Sequence, residues 1–338
     1  MTDTAPRGYL LTCGTSLLGN LQAHVPERSV GAEEPVGALL AQALSEVPSE
    51  LLGAIRPRGF TYVPTLDGVL RDFPGLRGLA SQVTADGTVA SDIRALGTEL
   101  ESLGRRMCGE GIAGTPLRTE DPIALIVSDT PDGRTCGLLI ASMTGRRIRV
   151  LTHGGERTET INGWIVEERP AHPDMPVQAA PVDLYVIPNL AVASEGAMSD
   201  AAPWLAGAIA RTVGGVVRDE HWSQVVENEA EISGGYKATL PLIHALLEYC
   251  AALPTARGIT CVLRHEAAPD VWIRVGLRSL TRAELAQRLE ELREADRGRR
   301  PRNEVLLGFG WRYSDGAGVP RPELTPEGYG ILAFPAPA

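Results

Sequence analysis

Residues 122–143 read PIALIVSDTPDGRTCGLLIASM: a five-residue apolar run, a Ser-Asp-Thr-Pro turn, then a second apolar run of helical character. Strand, turn and helix follow one another with no room for a hairpin. The same order opens the chain. In GYLLTCGTSLLGNL, residues 8–21, the short apolar run Tyr9 to Thr12 leads into Gly14-Thr15-Ser16, and Leu17, Leu18 and Leu21 then stand at helical offsets. It recurs late, where QVVENEAEI, residues 224–232, reads as a strand running into SGGYKATLPLIHALLEYC, residues 233–250. Parallel neighbours need a crossover between them, most often a helix, so this alternation predicts an α/β fold with a mainly parallel sheet.

Further elements fill in around these three units. RRIRVLTH, TINGWIVEE and VDLYVIPNL read as strands, and GITCVLRHE and DVWIRVGLRSL as two more after the 233–250 unit. VGALLAQALSEV and VASDIRALGTELESLGRRM carry helical patches within a Gly/Pro-punctuated segment from Val36 to Met107. In EGAMSDAAPWLAGAIARTVGGVV, Trp204, Leu205, Ile209 and Val213 share one helical face. TRAELAQRLEELREADRGRR is a charged helix with Leu285, Leu289 and Leu292 as its apolar stripe, and the tail to Phe334 reads as short strands around a Gly-rich turn. The stretches 22–122 and 154–219 look longer than a minimal domain requires and are expected to be insertions. The expected division is a main domain over 1–280 and a small helical and β appendage over 281–338.

The chain has 338 residues, 43% hydrophobic and 5% aromatic, with a formal net charge of −10. That charge argues against wholesale binding to a nucleic-acid backbone, which relies on many Lys and Arg side chains displacing counterions. An anion held in one local pocket stays compatible with it. Five cysteines (Cys13, Cys108, Cys136, Cys250, Cys261) show no C-x-x-C spacing, and six scattered histidines form no metal-ligand pattern, so neither a metal nor another cofactor is expected. No apolar run approaches a membrane span and no signal-peptide pattern opens the chain, which predicts a cytoplasmic protein with no membrane contact.

In an open parallel sheet, ligands lie outside the carboxyl ends of the strands, where loop amides and helix N-termini face an anion. Both CGTSLLGN and SGGYKAT fall at such ends. Gly234 and Gly235 allow close backbone approach, Lys237 offers a mobile positive charge, and Thr15, Ser16 and Asn20 offer hydroxyl and amide groups. The spacing is neither a Walker A loop nor a G-x-G-x-x-G dinucleotide fingerprint. An ordinary turn with a solvated lysine would also account for Gly-Gly-Tyr-Lys taken alone.

Taken together, the TCGTSLLGN turn, the ALIVSDTPDGRTCGLLIA unit and EISGGYKATLPLIHALLEYC resemble the CRISPR-associated Rossmann-fold (CARF) proteins. The resemblance is to the branch that includes stand-alone ring nucleases and the sensor domains of associated ribonucleases, and it covers residues 8 to 280. It implies a Rossmann-like domain acting as a homodimer that binds cyclic oligoadenylate, with cyclic tetra-adenylate favoured, in type III CRISPR antiviral defence. Carried over by motif, Thr15 and Ser16 contact ribose or phosphate, Gly234 and Gly235 line the floor and Lys237 meets a phosphate; Gly14, Asn20 and Tyr236 are counted with them as ligand-binding residues. Asp129 and Thr130, after the strand in the middle unit, are read equally as pocket residues and as an ordinary turn.

Some members of the family also cut the ring. Metal-independent cleavage needs a ribose 2′-hydroxyl in line with the scissile phosphate and a cation near the phosphoryl oxygens, roles the resemblance gives to Ser16 and Lys237. The products would be linear and end in 2′,3′-cyclic phosphate. Two alternatives stand beside this ring nuclease: a non-catalytic sensor and a ligand-responsive DNA-binding regulator. ELTPEGYGIL resembles the end of a winged-helix module, but no recognition helix accompanies it and RGRRPR (297–302) follows an acidic helix, so DNA binding is not expected. Arg147 to His153 formally matches the R-x4-6-H motif of HEPN ribonucleases, yet its β-like alternation makes a strand the better reading. Glu229 and Glu231 read as one solvated edge, His221, Trp222, His265 and Glu266 as loop or packing residues, and Trp164, Trp204, Trp272 and Trp311 as core or interface aromatics.

Overall fold

The computed structural model describes residues 5–15, 99, 102–103, 106, 114, 116–144, 146–155, 160–169, 176, 178–190, 194–217, 219–232, 239–265, 268–314 and 320–334. Ser16, Asn20, Gly234, Gly235, Tyr236 and Lys237, and the helix expected over 36–47, lie outside the described residues.

An eight-stranded sheet forms the centre. Its strands are β1 (Arg7–Thr12), β2 (Ile123–Ser128), β3 (Ile148–His153), β4 (Trp164–Arg169), β5 (Val182–Ile187), β6 (Glu227–Ile232), β7 (Gly258–His265) and β8 (Ala268–Val275). They lie in the order β4-β3-β5-β2-β1-β6-β7-β8. The inner six are mutually parallel, and β4 and β8 close the two edges antiparallel. Every residue of β2 and β5 is buried, as predominantly apolar runs between two covering layers require, and the one charge among them, Asp183, is ion-paired to Arg149. The result is an α/β fold with a mostly parallel sheet, as the strand–turn–helix alternation predicts, and it is consistent with a Rossmann-like fold.

Helices cover both faces. On one lie α2 (Glu195–Arg211), α3 (Leu240–Ala251) and α5 (Pro326–Leu332), packed with Leu10, Ile126, Tyr185, Ile187, Ala230, Ile232 and Cys261 into one apolar cluster. α2 is capped by Ser194, whose hydroxyl accepts from the Ala197 amide at 3.1 Å, and it carries Glu195 and Arg211 at the ends where each complements the helix dipole. On the opposite face α1 (Pro131–Met143) lies close over β2 and β5, because a Cβ at Gly137 would come within 2.7 Å of both Leu184 and Val127. Beside it, residues 99, 102, 103 and 106 are helical and buried, which is the i, i+3, i+4, i+7 pattern of a single helix face.

One expectation about organisation changes. Residues 154–219 are not peripheral: they supply edge strand β4, central strand β5 and α2, whose Met198 to Ala210 are buried except Ser199 and Asp200. The apolar content of VDLYVI and of the Ala-rich helix requires burial on two sides, which only a central position supplies. After Thr281, α4 (Arg282–Asp296) is followed by the paired strands β9 (Trp311–Tyr313) and β10 (Pro322–Leu324) and by α5. Leu285, Leu289, Leu292, Trp311, Leu324 and Ile331 join the same apolar cluster as α2 and α3. A Cβ at Gly330 would lie 2.8 Å from Leu246, so α5 sits directly on α3. Among the described residues no helix is long and apolar enough to cross a membrane.

Candidate functional site

The sheet order fixes where a ligand site can form. From β1 the chain passes to β2 on one side, whereas from β6 it passes through α3 to β7 on the other. Strands β1 and β6 are parallel neighbours whose next strands in the sheet, β2 and β7, lie on opposite sides, the position at which α/β sheets place a ligand crevice outside the strand carboxyl ends. Leu11 pairs with Glu231, so β1 and β6 end level with each other at Thr12 and Ile232. At the usual interstrand spacing of about 4.8 Å, the strand ends Thr12 and Ile232, from which the chain runs on toward the two motifs, stand side by side. Gly14 is buried and Thr15 is exposed, so the chain surfaces at the mouth of the crevice.

On the other side of β1, Ser128-Asp129-Thr130 leaves β2. The Thr130 hydroxyl accepts from the Gly133 amide at 3.1 Å and lies 2.8 Å from the Ser128 hydroxyl, so it caps α1. Asp129 accepts from Arg134 Nε at 2.6 Å and stands 4.0 Å from His153 Nδ1. Gly133 allows this tight turn, since a Cβ there would come within 2.6 Å of the Ser128 side chain and carbonyl. Both singled-out residues therefore stand next to the crevice with local partners.

Beneath the crevice is a buried charge cluster. Glu229 and Glu231 are 8% and 1% exposed, which corrects the expectation of a solvated edge: β6 is a central strand, and its alternate residues face the helix that carries Arg106. Arg106 donates through Nε to Glu229 Oε1 at 3.1 Å and its Nη1 lies 2.5 Å from Glu231 Oε2. The Ser102 hydroxyl also donates to Glu231 Oε2. One turn earlier, Glu99 Oε1 accepts from the Gly14 amide at 2.8 Å. The Arg106 guanidinium stacks on Trp272 at 4.7 Å from the ring centroid, and Arg264 does so at the same distance. Sequence reasoning did not single out Glu99 or Arg106. The signal was there in their helical spacing, but their partners lie 85 and 123 residues away.

Electrostatics follow the burial. Desolvation pulls Arg106 down, but Glu231 and Glu229 outweigh it and hold its pKa above the ordinary value. Burial, reinforced by Glu99, Cys136 and Glu231, pushes the Cys13 thiol well up, so the thiol beside Gly14 is neutral and no nucleophile. Burial, then Asp121 and Glu229, raises Tyr9 to about 12. Among the described residues no group of three His, Cys, Asp or Glu side chains is placed to hold a metal ion.

At the far end of the sheet a second network has a structural part. Arg149 bridges Asp183, at 2.5 and 2.8 Å, and Asp219, at 2.6 Å, while Trp222 Nε1 donates to Asp183 at 2.8 Å. Trp222 is buried against Gly8. Arg147 and His153 are the two flanks of strand β3, not a helical catalytic pair. No protein-family model matches the chain, and no curated protein sequence matches it significantly.

Proposed function

We propose that the crevice outside β1 and β6 binds cyclic oligoadenylate and that the protein is a CARF-type ring nuclease of type III CRISPR defence. The observation that carries this reading is the pairing of β1 with β6 at a topological switch point. Two motifs more than 200 residues apart, Gly14-Thr15-Ser16 and Gly234-Gly235-Tyr236-Lys237, each follow in sequence within two residues of one of these neighbouring strand ends. Loop amides and a lysine at such a site suit a phosphodiester, and a two-fold dimer would offer the same loops to each half of a symmetric ring. In this reading residues 281–338 are a C-terminal addition to the CARF domain.

Cleavage in this reading is a transesterification. A ribose 2′-oxygen forms a bond to phosphorus while the bond to the 5′-oxygen breaks; the 2′-hydroxyl proton is lost and the departing oxygen takes one up. Lys237 stabilises the charge on the phosphoryl oxygens, and Ser16 orients the reacting hydroxyl.

The test is incubation of purified protein with cyclic tetra-adenylate and cyclic hexa-adenylate in the presence of a chelator, with products separated by chromatography. Linear products ending in 2′,3′-cyclic phosphate support the nuclease; unchanged but bound ring reduces it to a sensor; neither binding nor products removes the reading. Lys237→Ala is expected to weaken binding or slow cleavage by at least about tenfold, the scale of a hydrogen bond to a charged group, with melting temperature unchanged.

A further inference from the structure

We infer that Glu99 is a positioning residue that sets the turn after β1, through a helix that also anchors β6. The inference rests on the crevice being the ligand site. Glu99, Ser102 and Arg106 share one buried helix face, with exposures of 1%, 0% and 2%. Arg106 and Ser102 bind this face to Glu229 and Glu231 on β6, and Glu231 is two residues short of the loop that begins at Ser233. Glu99 binds the same face to Gly14, two residues past the end of β1. One helix face therefore contacts both strand exits, each within two residues of a motif.

The direction of the Gly14 bond matters. In an anion site the first amides after the strand ordinarily face the ligand. Here the Gly14 amide points inward to a carboxylate, and the chain turns outward only at Thr15. Glu99 thus excludes Gly14 from ligand contact and hands recognition to Thr15 and the residues after it. Part of the 22–122 stretch thereby becomes the clamp of the site.

Hydrogen exchange on the ligand-free protein, read in peptides covering 13–16 and 227–232, tests this for wild type, Glu99→Ala and Glu99→Gln. The expected result is exchange faster on the order of tenfold at 13–16 in Glu99→Ala, unchanged exchange in β6, and recovery to within about threefold in Glu99→Gln, whose amide oxygen still accepts. Affinity for cyclic tetra-adenylate should follow the same order. Glu99→Asp, which withdraws the carboxylate by one methylene, replaces the alanine variant if that does not fold. Uniform acceleration across β1 and β6 would mean a merely structural residue, and equal exchange in all proteins would overturn the inference. Wild type that does not bind cyclic tetra-adenylate would remove the functional reading while the exchange result still decides the clamp.

Discussion

Replacing Arg106 with methionine should cost the fold several kilocalories without opening a cavity. The side chain is 2% exposed and is the shared partner of Glu229 and Glu231, themselves 8% and 1% exposed. Methionine keeps most of the volume but strands two carboxylates in a dry layer, and breaking a buried pair in this way costs about 3–5 kcal/mol. Unfolding entropy is about 2.1 cal/mol/K per residue, so for 338 residues it totals about 0.7 kcal/mol/K. The loss then corresponds to a melting temperature lower by about 4–7 °C. Urea unfolding should show a lower midpoint with the same slope, because the surface exposed on unfolding is unchanged. Adding Glu229→Gln and Glu231→Gln to Arg106→Met should recover most of the loss, since it is the stranded charge that is costly. An Arg106→Met protein within about 1 kcal/mol of wild type would refute the reasoning, because that is the range of an exposed pair.

Three other outcomes follow from particular contacts. Gly207→Ala should destabilise by about 1–3 kcal/mol, the range for overpacking, because its Cβ would stand 2.4 Å from the Thr160 backbone carbonyl; an unchanged urea midpoint would contradict the close seating of α2. Burial alone would raise the Asp219 pKa, but Arg149 and the His221 and Trp222 amides outweigh it and hold it below the ordinary carboxylate value. Its stabilising contribution is therefore present above that ordinary value and lost as pH falls through the lower folded value, so Asp219→Asn should lower stability at neutral pH and flatten the acid limb of an unfolding-versus-pH curve. Cys13, Cys136, Cys250 and Cys261 are buried, and burial raises the thiols of Cys13, Cys250 and Cys261, the last to about 11. In a Cys108→Ser background these four should react with Ellman's reagent only on unfolding, and a fast native phase would count against the described core.

Much of the fold was legible because its signals are local. Mostly apolar runs marked β2 and β5, and the Leu285, Leu289 and Leu292 stripe marked α4, whose start the structure shows closed by a Thr281–Glu284 capping box. The order of strands was not legible: β5 enters between β3 and β2, a placement decided by packing among segments far apart in sequence. For the same reason 154–219 looked like an insertion, although its strand and helix are central. The Glu-Ala-Glu alternation of β6 spelled a polar face, and the helix face of Ser102 and Arg106, the latter 123 residues away in its bond to Glu229, covers it. For the candidate site, the start of the first loop was found at a strand end by its glycine and hydroxyl residues. The pairing of β6 beside β1, and the carboxylate holding Gly14 from behind, depend on contacts that periodicity does not encode.

The most direct measurement is a hydrogen-exchange footprint of the full chain with and without cyclic tetra-adenylate, resolved over peptides spanning 13–20, 128–134 and 233–239. The account predicts protection on the first and third together, since β1 and β6 open onto one crevice. Protection confined to other segments, or none at ligand concentrations that saturate binding, would contradict it.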